Sequence, residues 1–423
     1  MSWNSIEEVL QALVSPDPEE QHKAVEALGR YADFDALEQK LLQGDVALRV
    51  AAARALALLG DRRATEPLIA ALKCDESPHV RRAAAEALGQ LKDRRALTPL
   101  VEALQDDDRH LRQAAAVALG ELGEGRIAHT LFQALKRERE GDVRAALVGA
   151  LGRLAGTGFA PVLLKIARND WHLETRRQAI AALGFIENTQ VVNTLIDLAR
   201  RDADYRVRET AALALGYRNA EQRCKALMAI CASDRDARVR VAALRALGAF
   251  RGRHVTDLIL RRLREDDTRF VRLAAVSLLK SRMNHDVIAA LIEAACNDRE
   301  TPVREAAVRA LGETDEDAAI DFLKTVITSK ESVSLEIAAA EALGRIAVRT
   351  GKVGRIIEAL IHRPEYALRG IDAALKQGTF SPEVTRRLLL VLRNAPKVRE
   401  NAPLRAKIEK IMHGLSAGCE REV

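Results

Sequence analysis

The sequence predicts an all-α fold: a right-handed α-solenoid of about thirteen antiparallel helix pairs, with a repeat of about 32 residues. Two observations carry this prediction. A short motif recurs along the chain at a nearly constant spacing, and the apolar residues within each repeat follow helical periods. The composition agrees, because 48% of the 423 residues are hydrophobic but only 3% are aromatic. A core built mostly from Ala, Leu and Val suits closely packed helices.

The recurring motif is the tripeptide Ala-Leu-Gly or a close variant of it. Its third position, which we call the Gly slot, occurs twelve times, and the last eight intervals between slots are all 32 residues. Stacked helical repeats produce such regularity, whereas a single domain of mixed topology does not. The slots, with Ala57, Lys280 and Lys376 in place of Gly, are 29, 57, 89, 120, 152, 184, 216, 248, 280, 312, 344 and 376.

Each repeat contains two amphipathic segments. Around the slot at 89, Val80, Ala84 and Leu88 share one helix face. The segment from 96 to 104 forms a second apolar stripe, and Asp93 ahead of it is a candidate N-cap. Neither helix can bury its stripe alone, so each repeat is predicted to stack on the next.

The organisation is predicted to be one continuous domain, residues 1–423, because no linker interrupts the spacing. Residues 1–30 and 381–415 are expected to be the capping pairs, and residues 416–423 a tail. The start, MSWNSIEEVL, carries acidic residues where a signal peptide is basic, and no apolar run is long enough to span a bilayer. With five cysteines and no CxxC pair, a reducing, cytoplasmic location without membrane contact is expected.

A second periodic feature is a pairing of Arg with an acid. Arg stands eight positions before most Gly slots, and an acid stands six residues before most of these arginines. An Arg fork that reaches a carboxylate in its own or the neighbouring repeat would build a ladder of charge-assisted hydrogen bonds. We therefore interpret the arginines as structural, not as a nucleic-acid stripe. The ladder residues are Arg49, Asp75, Arg81, Asp106, Arg112, Glu138, Arg144, Asp170, Arg176, Asp202, Arg208, Asp234, Arg240, Asp266, Arg272, Asp298 and Arg304.

The ladder is predicted to lapse where Glu336 and Leu368 occupy the Arg position. The two segments 59–72 and 80–89, with their Gly-Asp-Arg-Arg turn and Ala-Leu-Gly ending, resemble the HEAT repeat, and specifically the short repeats called phycobilisome-lyase HEAT-like. The resemblance covers nearly the whole chain. It implies that the second helix of each repeat lines a concave face where partners bind.

Several kinds of chemistry are excluded or weakened by the motifs that the chain lacks. The deoxyhypusine hydroxylases, an enzyme class on the fold that this chain resembles, hold iron with His-Glu pairs. None of the nine His residues here is followed by Glu. No HxxxH pair, CxxC pair or GxxxxGK loop occurs, so no metal, cofactor or catalytic residue is predicted. Cys224, Cys231 and Cys296 are interpreted as small apolar residues buried between helices.

The net charge of +6 is typical of proteins that bind nucleic acids. The positions seven and three before each Gly slot, which we call the inner slots, are expected to face inward. A groove that follows phosphates should carry one sign of charge, but these slots carry both, which argues against nucleic acid. They hold Arg54, Arg82, Arg177, Arg245, Arg309 and Arg369 together with Glu26, Glu86, Glu209, Glu305 and Glu341.

The few aromatic residues concentrate in the middle of the chain. Phe185 and Tyr217 occupy the same position, one past the Gly slot, in consecutive repeats, and should lie about 10 Å apart. The inner slots beside them are small or apolar. Bulky rings at the edge of a shallow trough are typical of a protein-binding groove. The predicted partner site comprises Phe185, Tyr217, Leu213, Arg177, Arg245, Trp171 and Tyr205.

The sequence thus favours a non-enzymatic scaffold that binds another protein along its concave face. Two alternatives stay open. The resemblance to the lyase-type repeats allows a phycobilin lyase or isomerase that attaches a chromophore, and HEAT-like DNA glycosylases provide a precedent for nucleic-acid binding. Neither the identity of the partner nor the oligomeric state follows from the sequence.

Overall fold

A computed structural model shows two compact units, Met1–Arg218 and Asn219–Val423. Every regular element in its described part is helical. The prediction of a single continuous domain stays a prediction, and each unit is described separately below. The residues described are 6–13, 15, 17, 19–20, 23–24, 27, 34–154, 156–329, 332–350, 353–376 and 382–419.

The first unit consists of antiparallel helix pairs, in which a first helix is followed by a turn and a second helix. Short 3₁₀ turns at Arg62–Ala64, Arg94–Ala96, Gly125–Ile127 and Gly156–Phe159 lead into four of the first helices. The helices are α1 Ile6–Leu13, α2 Phe34–Gln43, α3 Val46–Leu59, α4 Thr65–Cys74, α5 Pro78–Leu91, α6 Leu97–Ala103, α7 Arg109–Leu122, α8 Ala128–Arg137, α9 Gly141–Leu154, α10 Ala160–Asn169, α11 Leu173–Leu183, α12 Thr189–Arg201 and α13 Tyr205–Leu215.

The second unit continues the same alternation of first and second helices. Its last pair is α24 and α26, where the sequence predicts a capping pair. The helices are α14 Glu221–Ser233, α15 Ala237–Leu247, α16 Arg253–Glu265, α17 Arg269–Leu279, α18 His285–Asn297, α19 Thr301–Leu311, α20 Asp317–Ser329, α21 Val333–Thr350, α22 Val353–His362, α23 Pro364–Lys376, α24 Pro382–Asn394, α25 Pro396–Arg399 and α26 Ala402–Cys419.

The predicted end segments are only partly within the described residues. α1 begins at Ile6, inside the first helix expected for residues 1–30, and most of the helix expected after it lies outside the described part. At the other end α26 extends to Cys419, so its helix runs past 415 into the segment predicted to be a tail. The helical pattern therefore continues beyond the boundary set by the apolar residues alone.

The core of each unit lies between the two helices of a pair and between successive pairs. In α5, Val80, Ala84 and Leu88 are fully buried, as the periodicity of their face predicts. Successive second helices pack on one another throughout each unit: α5 contacts α7, α7 contacts α9, and α9 contacts α11. The frequent Ala residues on these helices make that close packing sterically feasible.

The Gly slots lie where successive second helices come closest. A Cβ atom added at Gly89 would lie 2.8 Å from both Cα and Cβ of Ala118 in the next repeat. Gly152 faces Ala182 in the same way, and a Cβ at Gly312 would lie 2.9 Å from Cβ of Ala342. Gly recurs in this position because a side chain would push the backbones of adjacent repeats apart.

We expect Gly89→Ala to lower the free energy of unfolding by about 1–2 kcal/mol, because the steric clash outweighs the gain in helix propensity of about 1 kcal/mol. Gly149→Ala is the matched control, since its Cβ would meet only the flexible end of Gln178 at 3.2 Å. That control should gain about 0.5–1 kcal/mol. Urea denaturation followed by circular dichroism measures both changes, and an equal gain at the two positions would contradict the close-approach explanation.

The periodic arginines and acids form contacts between successive repeats. Arg112 Nε lies 2.9 Å from Glu138 Oε2, and Arg144 contacts Asp170. In the second unit Arg240 makes two hydrogen bonds to Asp266, of 2.8 and 2.9 Å. Arg272 does the same with Asp298, at 2.7 and 2.9 Å. In each of these pairs the Arg belongs to one repeat and the acid to the next.

The same arginines also hold their own repeat together. Arg112, Arg208 and Arg272 each donate from Nη1 to the main-chain carbonyl of the residue six positions upstream, at 2.9 Å. For Arg208 the acceptor is the main-chain carbonyl of Asp202. Arg176 makes the equivalent bond to the carbonyl of Asp170, at 3.0 Å. In Arg112 and Arg272, one guanidinium therefore closes the turn between the two helices of its repeat while its other nitrogens reach the acid of the following repeat. The predicted rung between Arg176 and Asp202 is wrong, because the described contacts of Arg176 reach only the carbonyl of its own repeat.

The rung between Arg81 and Asp106 is weaker than the ion pairs described above. The interval between the slots at 89 and 120 is 31 residues. The first helix of that repeat, α6, spans only 7 residues. Arg81 Nη2 reaches Asp106 Oδ1 at 3.5 Å and makes no second bond to it in the described contacts. The missing residue moves the acid away, so the pair has the longest separation among the rungs described here.

The prediction of a missing rung at Glu336 is wrong. The Glu336 side chain is buried, and Arg363 of the following helix pair contacts it, with Nε 2.8 Å from Oε2. The rung is therefore present with its charges exchanged, because the acid now precedes the arginine. At the other expected lapse, Leu368 is fully buried among apolar residues. Sequence reasoning missed Arg363 because it lies 27 residues after Glu336, one position off the usual spacing.

Candidate partner-binding site

Two exposed aromatic rings stack at the C-terminal ends of second helices in the first unit. The ring centroids of Phe185 and Tyr217 lie 4.6 Å apart with an interplanar angle of 25°. Phe185 is 61% exposed and Tyr217 is 46% exposed. The predicted separation of about 10 Å is wrong, because it took the spacing of the helices as the spacing of the rings. The rings instead lean together and form one continuous apolar surface.

Gly184 is the reason that the rings can meet. The Tyr217 ring lies directly over this residue, so that a Cβ at Gly184 would be 2.6 Å from Tyr217 Cδ2. With no side chain in the way, the ring crosses from its own repeat onto the end of α11. The main chain there is also held by Arg218, whose Nη2 lies 3.4 Å from the carbonyl oxygen of Phe185. The Gly slot thus serves ring stacking here as well as helix packing.

The other predicted site residues do not all join this pair. Leu213 is half-buried on α13, in the inner slot four residues before Tyr217. Arg177 is engaged elsewhere: Nη1 lies 2.7 Å from Glu174 Oε2, and Nε donates to Thr210 Oγ1 at 3.0 Å. Arg245 is exposed but belongs to the second compact unit. The predicted basic border of the patch therefore stays a prediction.

Trp171 and Tyr205 lie at the opposite ends of the second helices. Trp171, which is 67% exposed, precedes α11, and its ring centroid lies 5.4 Å from that of His172. Tyr205 begins α13. Since α11 has 11 residues, about 16 Å of helix separates this edge from Phe185. The single aromatic patch predicted from the sequence is thus two features on two edges.

The second helices α7, α9 and α11 form a shallow groove of about 240 Å³, which neither Phe185 nor Tyr217 lines. Ala145 and Gly149 lie at its floor positions, which are the inner slots that the sequence predicts to be small. Polar side chains border it, and Gln178 donates to Glu174 at 2.9 Å. Sequence reasoning missed the two glutamines, Gln113 and Gln178, because a single Gln in a repeat carries no periodic signal.

Some of the charges on the inner slots neutralise one another, whereas Arg54 and Arg245 have no carboxylate partner among the described contacts. Arg82 Nε lies 2.8 Å from Glu86 Oε1 on the same helix. Arg309 lies 3.3 Å from Glu305 and 3.6 Å from Glu341, which belongs to the next repeat. Arginines that already have carboxylate partners attract phosphate weakly. The described inner slots therefore do not form a one-signed groove.

The cysteines divide into two kinds. Cys224 and Cys231 are buried on α14, as predicted, and burial raises the pKa of both thiols, that of Cys231 to about 12. A thiol with a raised pKa is a poor nucleophile. Cys296 is exposed on the last turn of α18, so the prediction that it is buried is wrong.

The fold and site together define a helical-repeat protein whose second helices present a groove and an exposed pair of rings. No described helix is both long enough and apolar enough to cross a membrane. The HEAT repeats family matches from residue 34 to residue 375, and the chain belongs to this family. It is an all-α solenoid of HEAT repeats. The matched stretches are 34–120, 100–184, 127–216, 160–248, 192–280, 225–307, 256–344 and 288–375.

Solved structures similar to the chain are also helical-repeat proteins, at low identity. Kap95p, solved with RanGDP, is 13% identical with a TM-score of 0.50, over 96% of this chain and 62% of its own. The karyopherin Kap121p is 15% identical with a TM-score of 0.47, and the chain spans about half its length, with 95% and 52% covered. The CpcE–CpcF phycocyanin lyase complex from Nostoc sp. is 22% identical with a TM-score of 0.31, over 62% and 92%. The likeness to Kap95p supports the fold alone, and no curated protein matches the sequence.

Proposed function

We propose that the chain is a non-enzymatic scaffold that binds another protein on the second-helix side of the first unit. The observation that carries this proposal is the stacked pair Phe185 and Tyr217, which exposes two large rings to solvent. Exposed aromatic pairs of this kind are enriched among the residues that dominate protein–protein binding energy. The groove floored by Ala145 and Gly149 offers space for a partner segment next to polar side chains that can fix its direction.

The charge pattern supports a protein partner over a nucleic acid. A nucleic acid requires arginines that are free to replace counterions, and the inner-slot pairs Arg82–Glu86 and Arg309–Glu305 are already neutralised. Binding to duplex DNA should therefore be weak and lost at moderate salt. A protein surface, in contrast, tolerates and uses a mixed polar border around an apolar centre.

The double variant Phe185→Ala with Tyr217→Ala tests the proposal. We expect it to lose partner capture, by about 30-fold or more in affinity, because truncating a hot-spot ring costs roughly 2 kcal/mol and the costs of two stacked rings are not additive. The melting temperature should change little, since both rings are exposed. Pull-down from the native host with mass spectrometry, followed by titration of the recovered partner, measures the effect.

Phe270→Ala provides the matched control. This ring is 58% exposed, similar to Phe185, but lies on α17 in the second unit. It should keep partner capture at the level of the unmodified chain. If the double variant captures the partner as well as this control does, the binding surface is elsewhere. If the double variant unfolds, the two rings serve packing and the proposal fails.

A further inference from the structure

Four cations lie together on two successive connections of the second unit. Arg251 and Arg253 follow α15, and Lys280 and Arg282 follow α17; we call these four residues the basic edge. None of the four has a carboxylate within ion-pair distance among the described residues. Arginines at other turns of the chain do pair, as Arg238 does with an acid two residues before it at 2.9 Å. The basic edge is therefore a local excess of positive charge.

Arg282 anchors this excess charge. Its Nη2 donates to the carbonyl oxygens of Leu247 at 3.2 Å and Phe250 at 2.6 Å, at the end of α15. Its Nε is buried and has no hydrogen-bond partner. Burial lowers the pKa of the guanidinium, and the positive charge of Arg251 lowers it further. The carbonyls satisfy part of the donor capacity of Arg282, but no anion compensates its charge.

The surrounding acids limit how far the positive region extends. Asp257, the fifth residue of α16, and Asp286, in the first turn of α18, lie beyond ion-pair distance of the basic edge. The next connection along the unit, between α19 and α20, carries acids in place of the arginines, and one of them, Glu313, lies 3.5 Å from Arg349. Two neighbouring connections are separated by about one helix-packing distance, near 10 Å, so the positive region is short. The acids at and after that connection are Glu313, Asp315, Glu316 and Asp317.

We propose that the basic edge binds a short acidic segment of a partner protein through the carboxylates of that segment. Arginine forks recognise carboxylates with charge-assisted hydrogen bonds, and two connections spaced by one repeat fit several carboxylates along an extended chain. A long polyanion such as DNA, or a flat anionic membrane, would continue onto the acids from Glu313 to Asp317 and be repelled there. This site lies in the second unit and does not depend on the Phe185–Tyr217 pair.

Binding of a fluorescein-labelled oligoglutamate peptide, measured by anisotropy, tests the proposal. The double variant Arg251→Ser with Arg253→Ser removes two exposed cations and leaves Arg282 to hold the end of α15. We expect binding to weaken by about tenfold or more, at low salt and at about 0.15 M salt. The control Arg137→Ser with Arg139→Ser makes the same change in net charge at exposed cations of the first unit, and should weaken binding less than about twofold.

Three results would overturn the proposal: no binding of the peptide by the unmodified chain, equal weakening in both double variants, or tighter binding of duplex DNA or phosphatidylserine vesicles than of the peptide. Equal weakening would mean that net charge, not a site, attracts the peptide. The variant of Phe185 and Tyr217 separates this inference from the proposed function. It should bind the peptide as the unmodified chain does, even though it loses the native partner.

Discussion

Arg272→Ala should lower the free energy of unfolding by about 3–5 kcal/mol. The Arg272 side chain is only 3% exposed, and it makes two hydrogen bonds to the carboxylate of Asp298, which is 6% exposed. Removing the guanidinium leaves that carboxylate buried without its counter-charge. The bond from Arg272 Nη1 to the carbonyl of Asp266 is lost as well, so one substitution loosens both its own repeat and the interface to the next.

Arg81→Ala is the matched comparison for this prediction. Its contact to Asp106 is a single one at 3.5 Å between partly exposed side chains, so we expect a loss of about 1 kcal/mol. Urea denaturation of the two variants, followed by circular dichroism, measures the difference. Equal losses would show that the ladder contributes through the presence of Arg alone, independently of how well each Arg meets the acid of the following repeat.

Glu336→Arg, which restores the residue that the periodic pattern favours, should destabilise the chain by about 3 kcal/mol or more. Glu336 is buried against Arg363, whose side chain is 35% exposed, so the substitution would bury one positive charge directly beside another. This outcome separates the observed arrangement from a simple consensus rule.

Exchanging both charges should recover most of the lost stability. The double variant Glu336→Arg with Arg363→Asp places the pair in the order found at Arg272 and Asp298. A double-mutant cycle on thermal and urea denaturation gives the coupling between the two positions, which we expect to be about 2 kcal/mol or more. A coupling near zero would mean that the contact between Glu336 and Arg363 contributes nothing to stability, and that burial of each side chain alone sets the result.

The ladder explains how a chain with few bulky side chains keeps its repeats in register. Each repeat touches only its neighbours, so the stability of the array depends on the interfaces between consecutive repeats. Ala-rich helix contacts are smooth and define the position of one repeat on the next weakly, whereas a bidentate pair such as Arg240 with Asp266 fixes both distance and direction. The Gly slots complement this by allowing the helices to approach closely.

The proposed interaction surfaces follow from departures from the repeat. Phe185 and Tyr217 are large where most repeats have a small or polar residue one past the Gly slot, such as Gln90 or Ser281. The basic edge lacks the acids that accompany arginines at other turns. Residues that a repeat does not need for stacking are the ones available for partners, so the proposed sites are expected at these irregular positions.

The sequence by itself determined the helical-repeat fold, the pairing of helices, and most of the residues of the Arg–acid ladder, because stacking forces the same residue types to recur every 32 positions. Periodicity reports what every repeat shares. It could not show that an arginine such as Arg272 gives its carbonyl bond to its own repeat and its ion pair to the next, because both acceptors lie at fixed offsets in sequence. Only the tertiary structure decided that Phe185 and Tyr217 stack at 4.6 Å, that Arg363 meets Glu336 one residue off the spacing, and that Cys296 is exposed. These outcomes depend on where side chains turn after leaving the backbone, and on local shifts of a helix end, which a spacing between residues does not contain.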